Sequence, residues 1–383
     1  MPKAQRLSHT VRVSPRRLAD LLLPVAFLAS VVVVLALTDW RGRSDQALER
    51  QEQRRAAVLP PVPRSVAALY HYPAEFSHFM DDHYGLRSLA INARARLVFW
   101  LLGDSFAPDI MVGRDHWLFF TGNRELRDTL HTDPLSAASV STWAAGIEAR
   151  RRWLAARGIK YVFVLAPDKR SVYPEYLPRL LRPGPGPTRR GQLDEALADQ
   201  PAFLDLTAAL RADKAEGQLY YRWDTHWNRQ GGYDGYRAVM LRLGLTPEPK
   251  NLGHALVAVD RVGDLGRLAG LALTEHDLGP KSTCARTLPP IADPALFSNP
   301  FDESQPVYED ASTTCATGTG RLLMFHDSFA GMWEPWLSTQ FARAVYVWRP
   351  PSFEEMKRMV EIEHPTVVIE ERVERFLIWP FRP

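Results

Sequence analysis

Asp224 and His226 stand two residues apart in YYRWDTHWNRQGG, residues 220–232. On an extended segment, side chains two apart leave from the same face, so the carboxylate can reach the imidazole Nδ1–H. A serine nucleophile requires such an orienting pair. The matching serine is Ser328, in RLLMFHDSFAGMWEPWL. There a buried strand ends at Phe325, the chain turns through His326 and Asp327, and Ser328 opens a predicted helix. A serine so placed projects from the carboxyl edge of a parallel strand, where open α/β sheets bind their ligands. Backbone N–H groups at the helix start could stabilise an oxyanion. His226 would take the Ser328 proton through Nε2, and Asp224 would fix the tautomer and stabilise the imidazolium. Taken singly, Ser328 also reads as a helix N-cap, and Asp224 with His226 as a structural hydrogen-bonded pair.

Around this nucleus stand further candidates. Trp223 and Trp227 flank the pair, and with Trp333 they could line a dry, sugar-binding cleft, although packing is an equal reading. Lys169, Tyr173 and Arg222 could contact substrate, and Arg349, just after a strand, could reach the carboxyl edge near Ser328. A literal G-D-S-F at 103–106 and a D-x-x-H at Asp128 and His131 compete for the same chemistry. Ser105 follows a helical stretch rather than a buried strand, and the short interval to His131 cannot contain a parallel sheet. His71, His78 and His83 fit no standard zinc spacing and read as partly exposed helix residues, so no metal site is predicted. There is no Walker loop, Rossmann glycine fingerprint or cysteine-rich framework.

The elements that must position these groups alternate along the chain. Helical periodicity runs from about Ala67 to Leu102 with a break at Gly85, and PDIMVGRDHWLFF predicts two short strands around a turn at Gly113 to Asp115. A capped helix ending at Gly158 leads into KYVFVLAP, residues 160–167, a continuous apolar run typical of a strand buried on both faces. Further strands are predicted around Ala202 to Leu206, at 321–325, 344–348 and 366–371, with a helix after Asn228. Helices between apolar strands predict an α/β fold, a mostly parallel sheet covered on both sides.

The chain has 383 residues, 46% of them hydrophobic and 24% charged, a composition that excludes disorder or a disulfide-stapled miniprotein for most of its length. The net charge of +3 does not predict a nucleic-acid partner. Lys3, Arg6, Arg12, Arg16 and Arg17 put five positive charges into the first 17 residues, and the rest is slightly acidic. An uncharged run from Leu21 to Thr38 follows, about 27 Å long as a helix. The expectation is a cytoplasmic basic segment (1–17), a transmembrane signal anchor (18–38) and a charged, proline-ended linker (39–66). The domain at 67–383 is then exported, periplasmic in a bacterial cell. A cleaved signal peptide is the alternative. Export makes Cys284 and Cys315 candidates for a disulfide, with two unpaired thiols as the other reading.

Three stretches carry a resemblance to a known family. D-T-H-W-N at 224–228, H-D-S-F at 326–329 and P-D-K-R-S-V-Y-P-E-Y-L-P at 167–178 are similar to the AlgX/AlgJ group of alginate O-acetyltransferases, which are SGNH-hydrolase-like proteins. H-F-M-D-D-H-Y-G-L-R at 78–87 and V-G-R-D-H-W-L-F-F at 112–120 resemble that family's N-terminal features. As in that family, the Asp-x-His pair precedes the serine; His326 stands where related sequences often have glycine. The resemblance implies an SGNH-like α/β fold, a periplasmic location at the inner membrane, and Asp224, His226 and Ser328 as a triad. It also implies transfer of acetyl groups to an exopolysaccharide, with no bound cofactor but an acetyl donor supplied by a membrane-bound O-acyltransferase partner. An acetyl esterase using the same triad, or a non-catalytic polysaccharide-binding or assembly protein, would fit the same residues.

Overall fold

The computed structural model describes residues 15–41, 55–287 and 311–382. Most of the basic segment and part of the linker expected from the sequence lie outside these residues. The chain divides into two compact units, Met1–Leu97 and Val98–Pro383. The helical extension expected at the start of the main domain therefore groups with the N-terminal segment up to Leu97.

The first unit holds the helices Pro15–Leu37, Val66–His83 and Arg87–Leu97. Ser65 caps the second by accepting the Ala68 N–H at 3.1 Å, and the break falls at Tyr84 to Leu86, as Gly85 predicts. The expected anchor is thus helical, with Leu22, Leu23, Val25 and Phe27 exposed. Its side chains are described only from Leu22 on, and among the described residues no helix is long and apolar enough to cross a membrane. Of the three histidines, His71 and His78 are exposed, but His83 is buried, with its Nε2 2.8 Å from the Ala57 carbonyl.

The second unit is built on a sheet whose strands alternate their side chains between two cores. In chain order its strands are β1 (Ile110–Val112), β2 (Leu118–Phe120), β3 (Lys160–Ala166), β4 (Phe203–Asp205), β5 (Val257–Val262), β6 (Thr274–Gly279), β7 (Ala285–Thr287), β8 (Ala311–Thr314), β9 (Arg321–Phe325), β10 (Arg343–Val347) and β11 (Val367–Val373). Seven of them form one sheet in the order β4-β3-β11-β9-β10-β8-β7. The first five in that order are mutually parallel, and β8 and β7 close the edge antiparallel. The predicted parallel strands are all present within a residue or two. The β5–β6 hairpin and the β7–β8 edge carried no clear sequence signal.

Period-two alternation divides each strand between the faces. Val162, Val164, Met324 and Ile369 face one core, packed with Val239, Met240, Trp333 and Trp336. Phe163, Leu165, Phe325 and Val345 face the other, packed with Trp143, Ile147, Met356 and Met359. The second core leans on the helix Ala137–Ala155, which starts where Ser136 accepts the Ser139 N–H at 3.1 Å and ends before Gly158 at φ 71°. β11 is buried along its length although it carries Glu370, Glu371 and Arg372, and the Glu370 charge is neutralised by partners. Arg150 Nη1 donates to both Glu370 oxygens at 2.7 Å and Tyr161 Oη donates at 2.9 Å. A buried carboxylate is tolerated only when paired in this way. Cys284, just before β7, and Cys315, just after β8, form a disulfide.

Candidate active site

β9 delivers the nucleophile. Beyond Phe325 the chain leaves the sheet through His326 and Asp327, and Ser328 sits half-exposed at the head of a turn. The helix expected to open at Ser328 begins instead as a 3₁₀ turn over Ala330–Trp333, continued by the helix Glu334–Gln340. Asp327 fixes this turn. Its Oδ1 accepts the Phe329 N–H at 2.9 Å, its Oδ2 accepts the Val373 N–H at 2.7 Å, and its own N–H donates to Glu371 at 3.0 Å. The Phe329 N–H is therefore already engaged rather than open to an oxyanion. Burial first, and then the neighbouring Asp327 charge, push the Glu371 carboxyl well above its ordinary range.

The base arrives from the β3 side. Residues 220–228 cross above the carboxyl end of β3, where Tyr220 Oη donates to the Pro167 carbonyl at 2.5 Å. Asn228 then caps the helix Arg229–Arg242, accepting the Gly231 N–H at 3.0 Å. Lys169 Nζ anchors the same segment by donating to the carbonyls of Tyr221, Arg222 and Asp224 at 3.0, 2.9 and 2.7 Å. In this setting His226 Nδ1 meets Asp224 Oδ1 at 2.6 Å, and Nε2 meets Ser328 Oγ at 2.7 Å. A carboxylate can only accept, so Nδ1 carries the proton and Nε2 is left to accept the serine hydroxyl. Burial alone would raise the Asp224 carboxyl, but hydrogen bonding and charge from His226 and Arg261 prevail and hold it well below the usual carboxylate range.

Two residues of this network were missed. Arg261, on β5, donates from Nε to Asp224 Oδ2 at 2.7 Å and from Nη2 to Oδ1 at 3.1 Å. Asp264 donates its N–H to Asp224 Oδ2 at 3.0 Å, and its carboxylate accepts the Thr225 N–H at 2.7 Å and hydroxyl at 2.6 Å. The available signal was Gly263 between them: a Cβ there would stand 2.1 Å from the Trp223 carbonyl oxygen, so only glycine lets this corner close on the 223–226 segment. Asp224, His226 and Asp264 place potential ligand atoms within 4.8 Å of one another, but the Arg261 guanidinium already serves the group as its cation.

Several expected substrate contacts do other work. Lys169 is buried beneath the loop, with its ammonium spent on three carbonyls. Tyr173 is buried and its hydroxyl accepts the Leu219 N–H at 2.8 Å. Trp227 is wholly buried, donating to the Phe329 carbonyl at 3.0 Å and stacking on Trp333, which is likewise buried. These two indoles are core and cannot line a sugar cleft. Trp223 is half-buried, with Nε1 donating to the His116 carbonyl at 3.1 Å, and Arg222 is exposed. Arg349 is buried, and the residue from the end of β10 that lines a cleft is its neighbour Trp348. That cleft, of about 320 Å³, is lined by His326, Ala330, Gly331, Glu334, Tyr346 and Trp348, with Arg286 and Ala311 at its β7–β8 side. Ser328 does not itself line this cleft, but His326 and Ala330, two residues to either side of it, do. The competing motif is taken apart: Ser105 Oγ accepts the Ala107 N–H at 3.1 Å, while Asp128 is held by Arg170 at 2.6 Å and by the Arg189 N–H at 2.8 Å.

Comparison with known proteins identifies the family of the chain. A family model described as an SGNH hydrolase-like domain, acetyltransferase AlgX, matches residues 110–307, which include Asp224 and His226 and stop short of Ser328. The probable alginate O-acetylase AlgJ of Pseudomonas putida is 28% identical over 213 residues, covering 53% of this chain and 49% of the relative. Its counterpart in Pseudomonas syringae is 30% identical over 155 residues, covering 39% and 37%. The chain spans about half the length, or less, of these curated relatives. Among solved structures, the O-acetyltransferase domain of Pseudomonas putida AlgJ aligns over 70% of this chain and 92% of that one, at 19% identity and a TM-score of 0.41. Bacillus cereus PatB1 aligns over 70% and 96%, at 14% identity and a TM-score of 0.48. With the family model matching more than half of its length, the chain belongs to the AlgX family of SGNH hydrolase-like acetyltransferase domains.

Proposed function

We propose that this protein moves an acetyl group through an acetyl-serine on Ser328 onto hydroxyls of an alginate-like exopolysaccharide. The observation that carries the reading is the continuous relay from Asp224 through His226 to Ser328, with contacts of 2.6 and 2.7 Å. Ser328 Oγ attacks the donor carbonyl and gives its proton to Nε2, and that proton leaves with the donor's departing group as its bond to the acetyl carbon breaks. A sugar hydroxyl then gives its proton to Nε2 and attacks the acetyl-serine, and Ser328 recovers the proton as its ester bond breaks. Asp224 stays ionised throughout and compensates the transient imidazolium.

The acceptor's identity is supported by the names of the relatives, and its place by the cleft that His326 and Ala330 line on either side of Ser328, where Trp348 and the paired Arg286 and Glu334 contribute an indole and polar groups. The reading requires an acetyl donor and no bound cofactor. The basic first 17 residues and the apolar run after them support a single-pass inner-membrane location with the catalytic unit in the periplasm. A membrane-bound O-acyltransferase would then be the partner that hands over acetyl groups. Intact-protein mass spectrometry after brief exposure to p-nitrophenyl acetate tests the nucleophile. We expect an acetyl adduct on wild type and on Ser105→Ala but not on Ser328→Ala; an adduct that survives Ser328→Ala rejects the reading. Supplying a mannuronate hexamer then separates transfer from hydrolysis, since an esterase would release only acetate.

A further inference from the structure

We propose that Arg261 is a positioning residue of the catalytic relay, clamping the Asp224 carboxylate so that it holds His226 in line with Ser328. The inference rests on the triad reading above.

The clamp is two-pronged. Nε and Nη2 of one guanidinium engage the two oxygens of one carboxylate, at 2.7 and 3.1 Å, the planar match that arginine makes and lysine does not. With Arg261 in place, Oδ1 also takes the Nδ1–H and backbone N–H of His226, and Oδ2 takes the Asp264 N–H. Five N–H donors therefore hold the two oxygens of this carboxylate.

The same guanidinium carries a second consequence. Its Nη2 lies 3.0 Å from His226 Nδ1. While Nδ1 donates to Asp224 both nitrogens are donors, so this approach is not a hydrogen bond but a fixed positive charge against the ring. A triad aspartate favours the imidazolium. Here a cation shares that aspartate and stands against the edge of the ring, so one side chain fixes where both the carboxylate and the imidazole lie.

The other charges around the pair act at longer range or are already spent. Asp264 Oδ2 stands 3.6 Å from Nδ1 and is engaged by Thr225. Lys169 is directed at backbone carbonyls, and Glu275 accepts the backbone N–H groups of Arg222 and Trp223. Asp277 accepts the Tyr221 hydroxyl. Arg375, over the Phe329 ring that packs on His226, is paired with Asp168. Arg261 is the cation in direct contact with the carboxylate.

The test compares full-length wild type, Arg261→Gln and Arg261→Lys by kcat and KM for p-nitrophenyl acetate, with acetyl-serine followed by mass spectrometry. In Arg261→Gln kcat should fall roughly tenfold with KM held within about twofold, because the reacting atoms lose alignment rather than substrate contact. Arg261→Lys, which keeps the charge but loses the fork, should lose kcat in the same way. A variant with wild-type kcat, or one whose loss lies in KM alone, overturns the proposal. If the glutamine variant does not fold, the lysine variant decides alone by the same criterion. A wild type that forms no acetyl-serine removes the triad reading itself, and this inference falls with it.

Discussion

The carboxylate of Asp327 accepts the backbone N–H of Val373 at 2.7 Å, so the residue before the nucleophile is tied to the end of the neighbouring strand β11. Its second oxygen holds the Phe329 N–H, and the turn carrying Ser328 is fixed from both ends by one side chain. Asp327→Ala releases both N–H groups in a buried place, which should cost about 1.5–3 kcal/mol of stability as lost charge-assisted hydrogen bonds. Acetyl-serine formation should slow at least roughly tenfold, because the Oγ-to-Nε2 alignment is what the turn supplies. Denaturant melts with stopped-flow acylation measure both; an unaltered acylation rate would show that the turn holds without Asp327.

Lys169 predicts a pH dependence of stability. Burial pushes its ammonium from 10.5 down to about 8, against the opposing pull of Asp264, Asp224 and Glu275. Between about pH 8 and 10.5 the unfolded chain binds the proton and the folded chain does not, so stability rises with pH across that window. The rise attributable to this group is about 3 kcal/mol at roughly 1.4 kcal/mol per unit. The stability difference between wild type and Lys169→Met should therefore grow in favour of wild type from pH 8 to 10.5, other titrations cancelling. A constant difference across the window would refute this account of the lysine.

Trp348 predicts a split between the two halves of the reaction. The acyl donor needs only Ser328 and the relay, whereas a sugar ring in the β10-side cleft would pack on the indole. Trp348→Ala should leave acetyl-serine formation from p-nitrophenyl acetate unchanged and lower transfer to a mannuronate hexamer roughly tenfold, about 1.4 kcal/mol. Equal transfer in the two proteins would place the acceptor elsewhere.

The parallel strands were legible because their signals are local. KYVFVLA and RLLMF are apolar without a break, and residues buried on both faces of a sheet need no partner in sequence to reveal them. Asp224 and His226 were legible for the same reason, since a two-residue spacing is itself a geometry. Arg261 was not: it reaches Asp224 across 37 residues by way of a hairpin whose alternation resembles many exposed ribbons. Trp227 and Lys169 misled in the opposite sense. An indole and an ammonium beside a catalytic histidine suggest ligand contact, but whether they point to the cleft or into the core depends on which face of the loop rests on β3. That fact is fixed by tertiary packing alone.

The position of β11 bears on how the candidate site comes together. The strand latest in the sequence lies in the middle of the sheet, parallel to β3 on one side and to β9 on the other. Until it inserts, the half carrying the base and the half carrying the nucleophile share no sheet hydrogen bonds. A chain emerging amino terminus first therefore carries Asp224, His226 and Ser328 for some time as an unassembled set. The proposed acyl transfer would wait until residues 367–373 zip the two halves together, so a nascent or C-terminally clipped chain should be silent even with every reacting group already made.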